Sequence, residues 1–146
     1  MVTRRALLGA GALLLAGCGP PDEPEVNAAQ VWGEQLRAVQ RAIASYPASA
    51  GMLETRARER LPLLESMAAA AGATPTATTP SLQTALEAER LALQTHVAAV
   101  GLLEDRASRE LLATLIAAAA EAVSALRLEL DEPAIVDAFP GQRNRP

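Results

Sequence analysis

The chain has 146 residues, enough for one domain with a buried core and too few to hold two comfortably. Half of it is hydrophobic, yet only Trp32, Tyr46 and Phe139 are aromatic, and every basic residue is arginine in a chain of formal net charge −4. One cysteine (Cys18) and one histidine (His96) exclude a disulfide framework and a Cys/His zinc site within one chain.

The chain opens on an address. Thr3-Arg4-Arg5 precedes an unbroken apolar and glycine run, Ala6 to Gly17. As a helix those residues would rise about 18 Å, short of a ~30 Å hydrocarbon core. Residues 1–17 therefore read as a signal peptide, not a membrane span. The run ends Leu15-Ala16-Gly17-Cys18, which matches the lipobox of bacterial lipoproteins, with the Cys18 thiol as the acceptor of diacylglycerol. A small buried cysteine closing an apolar helix is the plain alternative. Thr3-Arg4-Arg5-Ala6-Leu7-Leu8 also matches a twin-arginine export motif, favoured here over the general secretion route.

Cleavage before Cys18 leaves 129 residues and, with Arg4 and Arg5 gone, a formal charge of −6. An acidic domain with three aromatics lacks the charge and stacking surface of a nucleic-acid binder. Acyl chains on Cys18, at ~0.8 kcal/mol per buried methylene, suffice to hold the protein on a membrane. Residues 18–26, with Gly19-Pro20-Pro21-Asp22-Glu23-Pro24, read as a short stiff linker.

Helical periodicity begins at Asn27, a candidate N-cap. Trp32, Leu36, Val39, Ile43 and Tyr46 form one stripe, and Tyr46-Pro47 ends the first helix because a residue before proline avoids the helical region. The second helix carries Leu53, Ala57, Leu61, Leu64, Met67 and Ala71, with Gly72 at its end. Pro62 inside it leaves the Arg58 carbonyl free and should kink or break it. After the link Gly72–Pro80, Ser81 caps a third helix with the stripe Leu82, Leu86, Glu89, Leu93, His96 with Val97, Val100 and Leu103. Glu104 to Ser108 reads as a tight connection. The fourth helix follows with Leu112, Leu115, Ala119, Ala122, Leu126 and Leu130, stopping before Pro133. Ile135, Val136 and Phe139 are apolar enough to fold back over these helices, and residues 142–146 read as a frayed tail.

The expected fold is all-α, a four-helix bundle over residues 27–141 built from two helical hairpins. Its topology depends on the link. Nine residues near polyproline II span about 28 Å, and a 20-residue helix is about 30 Å long. A crossover along the bundle is just feasible, and an antiparallel return is easy.

A carboxylate-bridged dimetal bundle needs inward Glu from two helices and Glu-x-x-His from the other two. Only the third helix approaches that pattern, with Glu89 and His96 one heptad apart. Glu59 lies beside the second stripe, followed by Arg60, and Glu121 lies on the fourth helix, where the inward positions 119 and 122 are alanine. The plain reading of Glu89 and His96 is a buried ion pair or hydrogen-bonded contact with Arg56 or Arg60, since an uncompensated buried carboxylate is costly. A metal site or a ligand contact are the alternatives. No nucleophile has a recognisable local context and no glycine-rich phosphate loop exists. The alanine runs Ala68–Ala71 and Ala117–Ala120 fit either close helix packing or an unfilled groove.

The chain resembles the ferritin-like lipoproteins of high-GC Gram-positive bacteria, a family mostly described as a domain of unknown function. The resemblance rests on the Thr3-Arg4-Arg5 leader with Cys18, Ala44-Ser45-Tyr46-Pro47 and the Pro/Thr link. It continues through Ala88-Glu89-Arg90 with His96, Leu103-Glu104-Asp105, and Leu126-Arg127-Leu128 into Asp137-Ala138-Phe139-Pro140-Gly141. It implies a ferritin-like bundle with a crossover between the second and third helices. Where relatives carry Glu and His, this chain has Arg60, Leu63, Ala119 and Ala122.

The expectation is a non-catalytic, exported lipoprotein on the outer face of the cell membrane, anchored through Cys18 and without a cofactor. Its partner is an envelope protein or small ligand, not nucleic acid. The competing reading is a ferritin-like protein that handles iron or manganese through Glu59, Glu89, His96 and Glu121.

Overall fold

A computed structural model describes residues 26–65, 67 and 79–135. Arg4, Arg5, Leu15, Ala16, Gly17, Cys18, the linker, Ala68–Ala71, most of the Pro/Thr link, Val136, Phe139 and the tail lie outside them. The described chain is all-α, with no strand among the described residues. The helices are α1 (Ala28–Ser45), α2 (Gly51–Arg58), α3 (Leu61–Glu65), α4 (Leu82–Ala99) and α5 (Arg106–Glu129), with a 3-10 turn at Ala48–Ala50.

Helix ends follow local chemistry. The Asn27 side chain accepts from the Gln30 amide at the start of α1. Tyr46 ends that helix in an extended conformation (φ −73°, ψ 132°), as the following Pro47 requires. Ser81 and Thr84 form a reciprocal capping box on α4. Asp105 caps α5, and hydrogen bonds from Ser108 hold its carboxyl below the usual range. At the far end of α5 Asp131 takes a left-handed conformation (φ 57°), while Asp131 and Glu132 amides donate back to Leu128 and Arg127. That Schellman pattern reverses the chain.

α1 packs against α2, α3 and α4, and α5 packs against α4 and α2, so the contacts close a ring. α4 begins beside the end of α1, where the Ser81 amide donates to the Ser45 carbonyl at 3.2 Å. The two helices are antiparallel, since His96 near the end of α4 meets Gln35 in the first half of α1. Inside the ring lie Trp32, Leu36, Val39, Leu64, Leu86, Leu112, Leu115 and Leu126.

The second helix breaks at Pro62, one of the two outcomes expected there, and four other expectations need correction. The second helix is two short ones: Pro62 has no N–H to donate to Arg58, so α2 stops there and Glu59–Arg60 form a turn before α3. Proline is accommodated in the first turn of α3, where no intrahelical donor is needed. Met67 stands in a turn and is 38% exposed. The inward face of α4 uses Ala85, Ala88, Ala92 and Ala99 instead of Val97 and Val100, which are exposed. α4 contacts both α1 and α5, and alanines let both approach. Arg106 to Ser108 belong to α5 because the Asp105 cap starts it there. Ile135 is 68% exposed and does not cover the core.

Candidate functional site

Two groups of polar side chains lie in the core, Tyr46, Arg60 and Glu89 in one and His96 with Gln35 in the other. Pro47 holds Tyr46 extended at the end of α1, and its hydroxyl donates to Glu89 Oε1 at 2.9 Å. The turn before Pro62 presents Arg60, whose Nη1 donates to Glu89 Oε2 at 2.8 Å and whose Nη2 donates to Oε1. Arg60 Nε is held by the Ala57 carbonyl at 3.3 Å. Arg60 and Glu89 are 3% and 0% exposed, which makes this a sealed, two-pronged ion pair. Burial, then the Glu89 charge and hydrogen bond, raise the Tyr46 phenol well above its usual range, so it stays a donor.

Two helical turns along α4, His96 is also fully buried. Gln35 Nε2 donates to the Val31 carbonyl at 3.2 Å, which turns its Oε1 towards His96 Nδ1 at 2.7 Å. Nδ1 therefore carries the proton, and Nε2 is a buried lone pair without a hydrogen-bond partner among the described residues. Burial, with the Arg60 charge second, lowers the ring's pKa to about 4. The ring is neutral at neutral pH.

Glu59 and Glu121 are placed differently. Both are exposed, and Glu121 pairs with Arg56 at 2.9 Å across the surface of α2 and α5. They do share a cleft of about 280 Å³ between α2 and α5, walled by Leu53, Ala57, Ala118, Ala122 and Ala125, with Arg60 also lining it. The alanine run of α5 thus divides: Ala119 is in close contact in the core, Ala118 faces the cleft, and Ala117 and Ala120 are exposed.

These residues do not fit a dimetal centre. Two candidate donors are at the surface, both Glu89 oxygens are engaged by Arg60, and the arginine charge reaches His96. Among the described residues no three of His, Cys, Asp and Glu are grouped to hold a metal. Sequence reasoning passed over Gln35, although a glutamine one turn after Val31 and one before Val39 lies on the apolar stripe of α1 and so carries a signal. Arg60 likewise falls on the inward line Ala57, Arg60, Leu64, at spacings of three and four.

Two consequences are measurable. Arg60→Met leaves Glu89 buried and unpaired and should cost about 3–5 kcal/mol in denaturant unfolding. Adding Glu89→Leu should recover most of that, giving a large favourable coupling in the double-mutant cycle. His96 makes stability depend on pH in a defined window. Above about 6.5 the ring is neutral folded and unfolded; between about 6.5 and 4 only the unfolded chain takes the proton. Stability should therefore fall through that window as pH drops, by about 3 kcal/mol in full. His96→Gln keeps a donor for Gln35 and should flatten this part of the pH–stability profile.

Compared with known proteins, the chain matches no family model, no curated protein and no solved structure.

Proposed function

We propose that the protein is an exported lipoprotein, anchored through Cys18 on the outer face of the cell membrane. Its helical domain binds a partner or small ligand without catalysing a reaction. The observation that carries the binding reading is how the polar groups are spent. Glu89, Arg60 and Tyr46 are consumed by one another, and His96 is held by Gln35, whereas the α2–α5 cleft stands open with alanine walls and a charged rim. Such a cleft suits a small apolar group: an aliphatic side chain of an envelope protein, or the apolar part of a small molecule.

The ferritin-like topology belongs to the same proposal. α2 follows the end of α1 directly and α4 starts beside it, so both helices leave from one end of the ring. A crossover connection, not a tight antiparallel turn, is the arrangement this geometry supports. The resemblance to ferritin-like lipoproteins is compatible with that order, without the family's metal chemistry. α5 is long and apolar enough to cross a membrane by length and composition, but Leu112, Leu115, Ala119 and Leu126 on it are packed inside the domain. The leader is the feature that supports a membrane location.

Cell fractionation tests the anchor. The protein should be found with membranes, its mature N-terminus beginning at a diacylated Cys18, and Cys18→Ala should release it; membrane association unchanged by that substitution would refute anchoring. For the cleft, native mass spectrometry of protein extracted in mild detergent should show a bound species that Ala122→Leu, which fills the cleft, removes. A species retained by Ala122→Leu would place binding elsewhere.

A further inference from the structure

A second cavity lies at the end of the domain where α2 and α4 start and α5 finishes. It measures about 340 Å³, and Ala50, Met52, Leu53, Leu82 and Glu129 line it. Its apolar character is exposed: Met52 is 74% accessible. No described side chain fills it.

We propose that this pocket is the docking site of the chain's own segment 136–141, with Phe139 seated against Met52, Leu53 and Leu82. Three observations select this occupant. The first is reach. The Schellman turn at Asp131 redirects the chain at the end of α5, whose Glu129 already borders the pocket. Phe139 follows the last described residue, Ile135, by four positions, which span at most about 14 Å. The second is chemistry. Phe139 is the only phenylalanine of the chain and, besides the buried Trp32 and Tyr46, its only aromatic residue. An aromatic ring buries on the order of 200 Å² when seated, and a methionine wall adapts to it readily. The third is charge. Glu129 and Asp131 leave acidic charge at this end, Glu132 being paired with Arg127 at 3.0 Å, and beyond Asp137 the only charged residues of the sequence are Arg143 and Arg145. Those arginines follow Phe139 closely enough to face the acidic rim once the ring is seated.

The docked segment would cover Met52, which is otherwise 74% exposed. The pocket is separate from the α2–α5 cleft in its lining except at Leu53, so the two proposals can fail independently.

The test uses the full chain with Cys18→Ala, labelled with ¹³C-methyl methionine. Its three methionines, Met1, Met52 and Met67, give three signals. Contact with the Phe139 ring should shift the Met52 methyl upfield, and Phe139→Leu should return it while leaving Met67 in place. A Met52 signal unaffected by Phe139→Leu would overturn the proposal. So would a shift that vanishes on dilution, since the ring would then come from a second copy. Independently, Met52→Cys with Phe139→Cys should form an intramolecular disulfide faster than Val26→Cys with Phe139→Cys. Equal rates, or a cross-linked dimer in place of the monomer, would count against it.

Discussion

A charge placed in the centre of a small helical domain needs a partner there, because water cannot supply one. Glu89 is that charge, and three separate pieces of chain are arranged around it. The end of α1 contributes Tyr46, the turn between α2 and α3 contributes Arg60, and α4 contributes the carboxylate itself. Most of the apolar groups that α4 itself turns inward are small. Alanines line the inward face of α4 and part of α5, and alanine surfaces slide past each other with little loss of contact. A buried pair does not slide. Moving α4 by one turn would leave Glu89 away from Arg60 and His96 away from Gln35, at several kcal/mol for the ion alone. Polar chemistry therefore fixes the register of α4 alongside the packing of Leu86 with the core leucines. That two-pronged arginine recognition is directional adds to the effect.

Two prolines do much of the positioning. Pro47 stops α1 and keeps Tyr46 extended, which aims the phenol at Glu89; Pro62 stops α2 and creates the turn that carries Arg60. In both cases a residue that weakens a helix determines where a polar group goes. The cost of a broken second helix is set against a satisfied core charge.

The stripe of α1 was legible because its apolar residues are large and evenly spaced: Trp32, Leu36, Val39, Ile43 and Tyr46 are all buried. α4 was harder to read. Its apolar residues include valines that face water and alanines that face inward, and pattern reading weights large side chains over small ones. Glu89 and His96 stood out as polar residues on an apolar face. Of their partners, Arg60 is foreseeable only together with Arg56, because a buried carboxylate asks for a cation, while Gln35 carries no charge to mark it. Which of Arg56 and Arg60 faces Glu89 depends on the break at Pro62, and the exact rotation after a break is not contained in spacing. The exposed position of Glu59 follows from the same rotation, since Arg60 and Ala57 take the inward line, whereas Glu121 is exposed because α5 turns Leu112, Leu115, Ala119 and Leu126 inward. The reading of Cys18 and the segment before it rests on sequence pattern alone.

Brevity of α2 and α3 has a kinetic meaning. Helices of eight and five residues are far below the length that persists alone in water, about 12–15 residues. They exist through Leu64, Ala57 and Arg60, which are seated on the rest of the domain. Such segments open sub-globally, ahead of the long helices, and their amides exchange hydrogen with solvent without the whole protein unfolding. When this one opens, Arg60 leaves with it. The ion pair that holds α4 in register is therefore also what ties these two short helices to the domain, and opening them would uncover Glu89.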